Sequence, residues 1–565
     1  GIRAYDLVYT PSPNTGRSLL TEITRYGSDF ELDETHTIIA GSVLPATQIT
    51  HTRPSLELTR ASEPLQGDLC VDQGYTSAYA NPAVTGDWNG DGRQDLARAG
   101  SAAFEFYVST GTGFESFAVL GDLTPDQGYE NTNENPVLTG DWNGDGRTDI
   151  GRVSSEQITF YVTADTGFEA FDALNDLGED QGFDDYLSFP ILTGDWNGDG
   201  ITDIARVSTT GVILYLATGT GWQEGPQLSE LGKNQGYPGN NEYPVFTGDF
   251  NGDGRTDIAR VGDNSLKAYV STGQGFAPLT PLCDLGPGHG FTNTNDNPIL
   301  TGDWNGDGLT DLARVKNSGT VFYLSTGTGF VTMGPELADL APDQDYASHH
   351  ANPVFTGDFN QDGRTDIGRV TSGSTVLYVA TGTGFEPYGQ PIADLSPDQG
   401  FDNNNEHPLL PGDFQGTGST GIVRMGGTDV TLYSPDPMAG DLICELTSTS
   451  GSITTIAWAP SSRYENTLLP FILQTVSAIT VDDGLGNTAA TTYAFSGGLY
   501  DHAARELRSF EYSIKTNPDQ TTVTTRFLQT EYLDGRTLSS EHRSPDDTLL
   551  SDSQYTWSET GLEEN

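Results

Sequence analysis

The sequence predicts an all-β protein: a seven-bladed β-propeller inserted in an antiparallel β-sheet domain. Three observations carry this prediction. A nine-residue acidic loop, first read as Asp87-Trp88-Asn89-Gly90-Asp91-Gly92-Arg93-Gln94-Asp95, restarts at Asp141, Asp195, Asp249, Asp303, Asp358 and Asp413, in steps of 54 or 55 residues. Such a period marks a closed or stacked repeat architecture. Each unit reads as four short strands with glycine turns and aromatic residues at fixed offsets, the pattern of a propeller blade. The flanks on both sides lack the repeat but alternate with the two-residue period of strands.

Residues 1–60 open with YDLVYT at 5–10 and SLLTEITRYG at 18–27, two strands joined by a Pro/Ser/Asn/Gly turn. THTIIAGSV at 35–43 and SLELTR at 55–60 are read as continuing this sheet. Residues 61–435 hold the repeat, and the sixth copy shows the unit most clearly. NPVFTGDF runs into the loop, TDIGRV and STVLYVATG form a second and third strand, and Phe385 opens a fourth after a TGTG turn. EPLQGDLCVDQGY at 63–75 resembles EPYGQPIADLSPDQGF at 386–401, whereas the seventh unit lacks a fourth strand of its own after LYSPDP. A strand over 61–71 is therefore expected to complete the seventh blade and remove the free edges. Residues 436–565 are rich in Thr, Ser and aromatics, in runs such as GSITTIAWAP, AATTYAFSGGLY and TTVTTRFLQTEYL. They predict an extended antiparallel sheet that pairs with residues 1–60.

The loops carry the site chemistry. Oxygen donors stand at positions 1, 3, 5 and 9, a backbone carbonyl at position 7, and a turn-forming glycine at position 6, as in the first part of an EF-hand loop. The first set is Asp87, Asn89, Asp91, Arg93 (carbonyl) and Asp95. The second is Asp141, Asn143, Asp145, Arg147 and Asp149; the third Asp195, Asn197, Asp199, Ile201 and Asp203. The fourth is Asp249, Asn251, Asp253, Arg255 and Asp257; the fifth Asp303, Asn305, Asp307, Leu309 and Asp311; the sixth Asp358, Asn360, Asp362, Arg364 and Asp366. An all-oxygen set of this kind suits Ca²⁺. The EF-hand Glu at position 12 is replaced by Arg in every copy, so these are not helix–loop–helix sites. The seventh loop keeps Asp413 but has Thr417 and Gly421 at positions 5 and 9. About six structural Ca²⁺ ions are expected by this donor count. The position-2 aromatics (Trp88, Trp142, Trp196, Phe250, Trp304, Phe359, Phe414) are read as packing between blades, and the recurring Arg98, Arg152, Arg206, Arg260, Arg314, Arg369 and Arg424 as pairing with carboxylates or capping carbonyls.

The formal net charge is −53, from 79 acidic and 26 basic residues, which disfavours nucleic acid and anionic lipid as partners. Cys70, Cys283 and Cys444 form no disulfide framework, and no apolar run reaches membrane-spanning length. The start at Gly1 and the abrupt end are read as a piece of a longer secreted protein. There is no nucleophile elbow, phosphate loop or zinc spacing, and the patterned carboxylates are committed to the loops, so a non-enzymatic protein is expected.

The flanks carry a resemblance. YDLVYTPSPNTGRSLLTEITRYG, before the propeller, resembles the corresponding strands of the B component of bacterial insecticidal toxin complexes and of virulence-plasmid and Rhs-related shell proteins. After the propeller, Leu469-Pro470-Phe471, Gly486-Asn487-Thr488, Gly497-Gly498 with Tyr500 and Asp501, and Arg505, Arg508, Phe510 and Tyr512 follow the same family pattern. The resemblance implies a sheet that is part of an Rhs-like β shell around a toxic C-terminal polypeptide. It also implies a propeller that attaches the shell to a pore-forming component or gates toxin exit. The competing expectation is a calcium-dependent, lectin-like carbohydrate-binding propeller, with Tyr346, His349 and His350 as candidate contacts.

Overall fold

The computed structural model describes residues 4–558 apart from 54–56, 62–68, 71–73, 76, 130–131, 133, 179–181, 184–186, 283–284, 292, 295, 317, 339–350, 397–402, 436–438, 467 and 502–503. It is all-β, with seven four-stranded antiparallel sheets in a ring beside one eleven-stranded sheet.

Blade 1 shows the local logic. Ala83–Gly86 runs into the acidic loop, Asp95–Ala99 leaves it, Phe104–Ser109 returns, and Phe114–Leu120 lies outermost. The second strand is buried on both faces in every blade, as in Asp95–Ala99 and Asp257–Val261, because neighbouring blades sandwich it. The first strands surround the axis, and Leu409–Gly412 of blade 7 meets Ala83–Gly86 of blade 1, so the ring is closed. An axial cavity of about 830 Å³ is lined partly by Val245, Phe246, Ile299, Leu300, Val354 and Phe355.

Closure occurs as expected in kind but earlier in the chain. The fourth strand of blade 7 is Thr59–Arg60, with Arg60 opposite Tyr433 and Thr59 opposite Ser434. The end of SLELTR, Thr59–Arg60, thus joins the propeller instead of continuing the flanking sheet, and Leu58 packs on the core between blades 6 and 7. Most of the expected 61–71 strand lies outside the described residues. Alternation identifies a strand but not its partner. The partner is set by tertiary contact, and here it is the edge of Val430–Ser434.

The flanks form one sheet. Its order is Ala4–Pro11, Ser18–Tyr26, Thr47–His51, Ile443–Thr447, Ile453–Pro460, Gln474–Asp482, Thr488–Asp501, Glu506–Thr516, Thr522–Phe527, Thr537–Arg543 and Leu549–Gln554. The join is Thr47–His51 beside Ile443–Thr447, with Ile49 opposite Leu446. The propeller is therefore an insertion between two adjacent strands. Ile38–Ala40 pairs with Glu31–Leu32 in a small ribbon, and THTIIAGSV meets the main sheet at its end through a single bridge from Val43 to Tyr26.

Candidate cation loops and their docking face

Each loop is wound around its first carboxylate. In loop 1, Asp87 Oδ1 accepts from the Gly90 and Asp91 amides at 2.7 and 3.1 Å, and Oδ2 accepts from the Gly92 amide at 2.7 Å. Gly90 and Gly92 take φ of 73° and 83°, the left-handed region this winding requires. Loop 6 places Gln361 at φ 59° in the position of Gly90 and keeps the same winding on Asp358.

The ninth residue ties the loop to its blade. Asp95 is fully buried; one oxygen accepts from the Trp88 amide at 2.8 Å and the other from the Ser109 amide at 2.6 Å. Asp149, Asp203, Asp257, Asp311 and Asp366 repeat both bonds. Burial, with the neighbouring loop carboxylates adding to it, pushes Asp149, Asp203 and Asp366 up to about 8 and Asp257 and Asp311 to about 7. Burial and the Asp91 charge push Asp87 to about 7. In loop 7, where the partner carboxylates are absent, burial pushes Asp413 to about 6.

The donor chemistry fits a hard divalent cation: three carboxylates, an amide oxygen and a carbonyl in nine residues, with the inner carboxylates carrying an electrostatic cost that a cation would relieve. As placed, the oxygens face the protein's own donors. Asn89 Nδ2 donates to Asp91 Oδ2 at 3.1 Å, and Arg93, Arg255 and Arg364 turn back onto Asp91, Asp253 and Asp362. Among the described residues, no three His, Cys, Asp or Glu side chains converge as a metal would need.

Position 8 and position 12 do work that the sequence reading missed or left open. Thr148 Oγ1 accepts from the Asp87 amide at 2.8 Å while the Thr148 amide donates to the Asp87 carbonyl at 2.8 Å. Thr202, Thr256, Thr310, Thr365 and Thr420 clasp the preceding loop in the same way. Between blades 7 and 1 the Gln94 amide donates to the Asp413 carbonyl at 3.0 Å, completing the circle. The recurrence of Thr in six copies was the available signal. The position-12 arginines Arg98, Arg152, Arg206, Arg260 and Arg314 cap carbonyls and stack on aromatics. Arg260 donates to the carbonyls of Leu231 and Tyr243 at 2.7 and 2.9 Å and lies 4.8 Å from the Tyr237 ring centroid. The position-2 aromatics are buried, with Trp142 5.9 Å from Trp222 of the next blade, so they are blade packing and not a sugar platform. Tyr346, His349 and His350 lie outside the described residues.

The loop face is also where the sheet docks. Asn14 Nδ2 donates to the Asn360 carbonyl and Arg17 Nη2 to the Asp362 carbonyl, at 3.0 and 2.8 Å. Ser462 Oγ donates to the Gly416 carbonyl at 2.6 Å and Gln474 Nε2 to the Thr417 carbonyl at 2.8 Å, both in loop 7.

Residues 87–151, 195–260, 249–314 and 303–369 match the family model of the FG-GAP-like repeat. Residues 409–539, from blade 7 into the sheet, match that of the insecticide toxin TcdB middle/N-terminal region. The chain joins an FG-GAP propeller to a TcdB-type sheet. Among solved structures, the Photorhabdus luminescens Tc holotoxin pore is 16% identical with a TM-score of 0.60, over 97% of this chain and 25% of that one. The TcdB2-TccC3-Cdc42 crystal structure is 15% identical with a TM-score of 0.54, over 96% and 26%. The chain thus spans about a quarter of the length of those chains. An Agrocybe aegerita lectin that recognises non-reducing terminal N-acetylglucosamine is 20% identical with a TM-score of 0.54, over 62% of this chain and 87% of the lectin. No curated protein matches. At these identities the structural likenesses establish the shared fold.

Proposed function

We propose that the chain is a non-enzymatic assembly module of a secreted toxin-complex or Rhs-like protein. The propeller attaches or gates a β shell, and the shell surrounds a toxic polypeptide elsewhere in the full-length protein. The observation that carries this is the insertion: a closed propeller emerges from between two adjacent strands of one sheet, and that combined fold covers nearly the whole chain in the Tc structures. A pore-forming protein is the proposed partner, and no helix among the described residues is long and apolar enough to cross a membrane. The proposed division is 1–60 and 436–565 for the shell sheet and 61–435 for the propeller, with Thr59–Arg60 reaching across the first boundary.

The test is sedimentation and electron microscopy of the purified chain mixed with a Tc-type pore-forming component, alongside a glycan array. A stable complex with the propeller at the junction supports the reading. Tight glycan binding without any such complex overturns it in favour of a lectin.

The same reading assigns Ca²⁺ to loops 1–6, held by the position 1, 3, 5 and 9 side chains and the position-7 carbonyl. Bound there, the ion would supply positive charge to a carboxylate cluster and link its binding to folding. Calorimetry should give close to six ions per chain. Asp145→Ala should lose one ion and lower the melting temperature in calcium, while Asp413→Ala should leave the stoichiometry unchanged. A chelator that leaves melting unchanged after the ions are removed would make them incidental.

A further inference from the structure

The sheet touches the acidic loops at several points, and one contact differs in kind. Asn14, Arg17, Ser462 and Gln474 all donate to backbone carbonyls and leave the loop carboxylates alone. Arg505 instead reaches a carboxylate. Its Nη2 donates to Asp195 Oδ2 at 2.8 Å, and its Nη1 lies 3.4 Å from the Asp253 carbonyl. Among the described residues this is the one ion pair between the sheet and a loop.

The guanidinium is wedged between loops 3 and 4. A Cβ on Gly254 would fall 1.5 Å from Nη1, and one on Gly198 would come within 3.5 Å of Nη2. Arg505 stands on the turn between Thr488–Asp501 and Glu506–Thr516 with φ 53°, an unfavourable conformation for a non-glycine residue. Loop 3 also lacks an arginine of its own: position 7 is Ile201, where loops 1, 4 and 6 carry Arg93, Arg255 and Arg364 on their own position-5 carboxylates.

Asp195 is the residue around which loop 3 is wound, since it accepts from the Gly198, Asp199 and Gly200 amides. A guanidinium stays charged at any physiological pH. With its nitrogen on Asp195 Oδ2, it repels a divalent cation held by the same carboxylate. In a partly desolvated site that repulsion weakens the cation by about tenfold or more.

We infer that Arg505 is a tethered counter-cation for the third loop, so that a divalent cation at Asp195 and docking of this turn on the propeller oppose each other. This rests on the reading of the loops as cation sites. Filling loop 3 would loosen the sheet from the propeller at this point, while the carbonyl contacts at loops 6 and 7 persist.

The experiment is calcium titration calorimetry on the full chain, as wild type, Arg505→Gln and Arg505→Lys, with hydrogen exchange of the 501–508 segment in calcium and in chelator. The wild type should show five tight sites and one at least about tenfold weaker. Arg505→Gln should bring the sixth site level with the rest, and Arg505→Lys should fall between. Calcium should speed exchange of 501–508 in the wild type and leave it unchanged in Arg505→Gln, where the turn is already released. Six equal sites in both proteins would overturn this inference and leave the loop reading standing. A weak sixth site that Arg505→Gln does not strengthen, or exchange indifferent to calcium in the wild type, would also overturn it. Absence of calcium binding in every variant would overturn both readings.

Discussion

A single threonine joins neighbouring loops at six of the seven seams. Thr256 donates its amide to the Asp195 carbonyl at 2.7 Å and accepts the Asp195 amide on its hydroxyl at 2.9 Å. Thr256→Val keeps the shape and the first bond but leaves the Asp195 amide without its acceptor. A loss of about 1–2 kcal/mol in thermal or denaturant unfolding is expected. The seam between blades 7 and 1 offers the reverse test. Gln94 supplies the amide but has no hydroxyl at that place, so Gln94→Thr should stabilise the protein by about 0.5–1 kcal/mol. Side chains at position 7 also cross the seams: Ile201, Arg255, Leu309 and Arg364 each pack on the position-4 glycine of the preceding loop. That position therefore contributes a side chain to the ring as well as a carbonyl to its loop.

At the scale of the element, the loop and the linker are held by opposite charges in different ways. The buried ninth-position carboxylates have folded-state values above their ordinary 3.8, with Asp149, Asp203 and Asp366 at about 8. A group raised in this way favours the folded state fully below pH 3.8 and loses that contribution as pH rises through about 8. In chelator, this contribution should therefore shrink between pH 4 and 8, and calcium should raise the melting temperature more at pH 8 than at pH 5. Melting scans at both pH values, with and without calcium, check the sign. The linkers are pinned by the buried arginines. Arg260→Ala would leave the Leu231 and Tyr243 carbonyls without their donor and open a cavity beside Tyr237, so a loss of about 2–4 kcal/mol is expected. Arg260→Lys should recover little of it, because an ammonium cannot both fork between two carbonyls and stack on a ring.

For the whole molecule, closure is a short latch on a long ring. Among the described residues, Thr59 and Arg60 form the fourth strand of blade 7, and the Ala61 amide adds one bond to the Leu432 carbonyl at 2.9 Å. Ala61→Pro removes that donor and should loosen the latch by about 1–3 kcal/mol, read as a lower melting temperature and faster proteolysis near residue 61. In chain order the latch follows the sheet strand Thr47–His51 and precedes the first blade. The outer strands of the sheet, Ala4–Pro11 and Leu549–Gln554, carry exposed Tyr5, Tyr9, Leu549 and Leu550.

The sequence by itself determined the repeat, its seven copies, the loop donors and the strand character of both flanks. These depend on local spacing: a nine-residue loop places its own donors, and a period of two declares a strand wherever it lies. It also separated the seventh loop from the other six, because Thr417 and Gly421 are visible without any neighbour. Only the tertiary structure decided what depends on contact across the chain. SLELTR alternates like a sheet strand, but its last residues went to blade 7, since pairing follows tertiary contact and not the pattern. The Thr clasps join residues about one blade apart, and the Arg505–Asp195 pair spans 310 positions, so no local spacing announces either. The direction in which the loop oxygens point was likewise settled by folding, because backbone amides brought in by the turn and by the third strand compete for the same lone pairs.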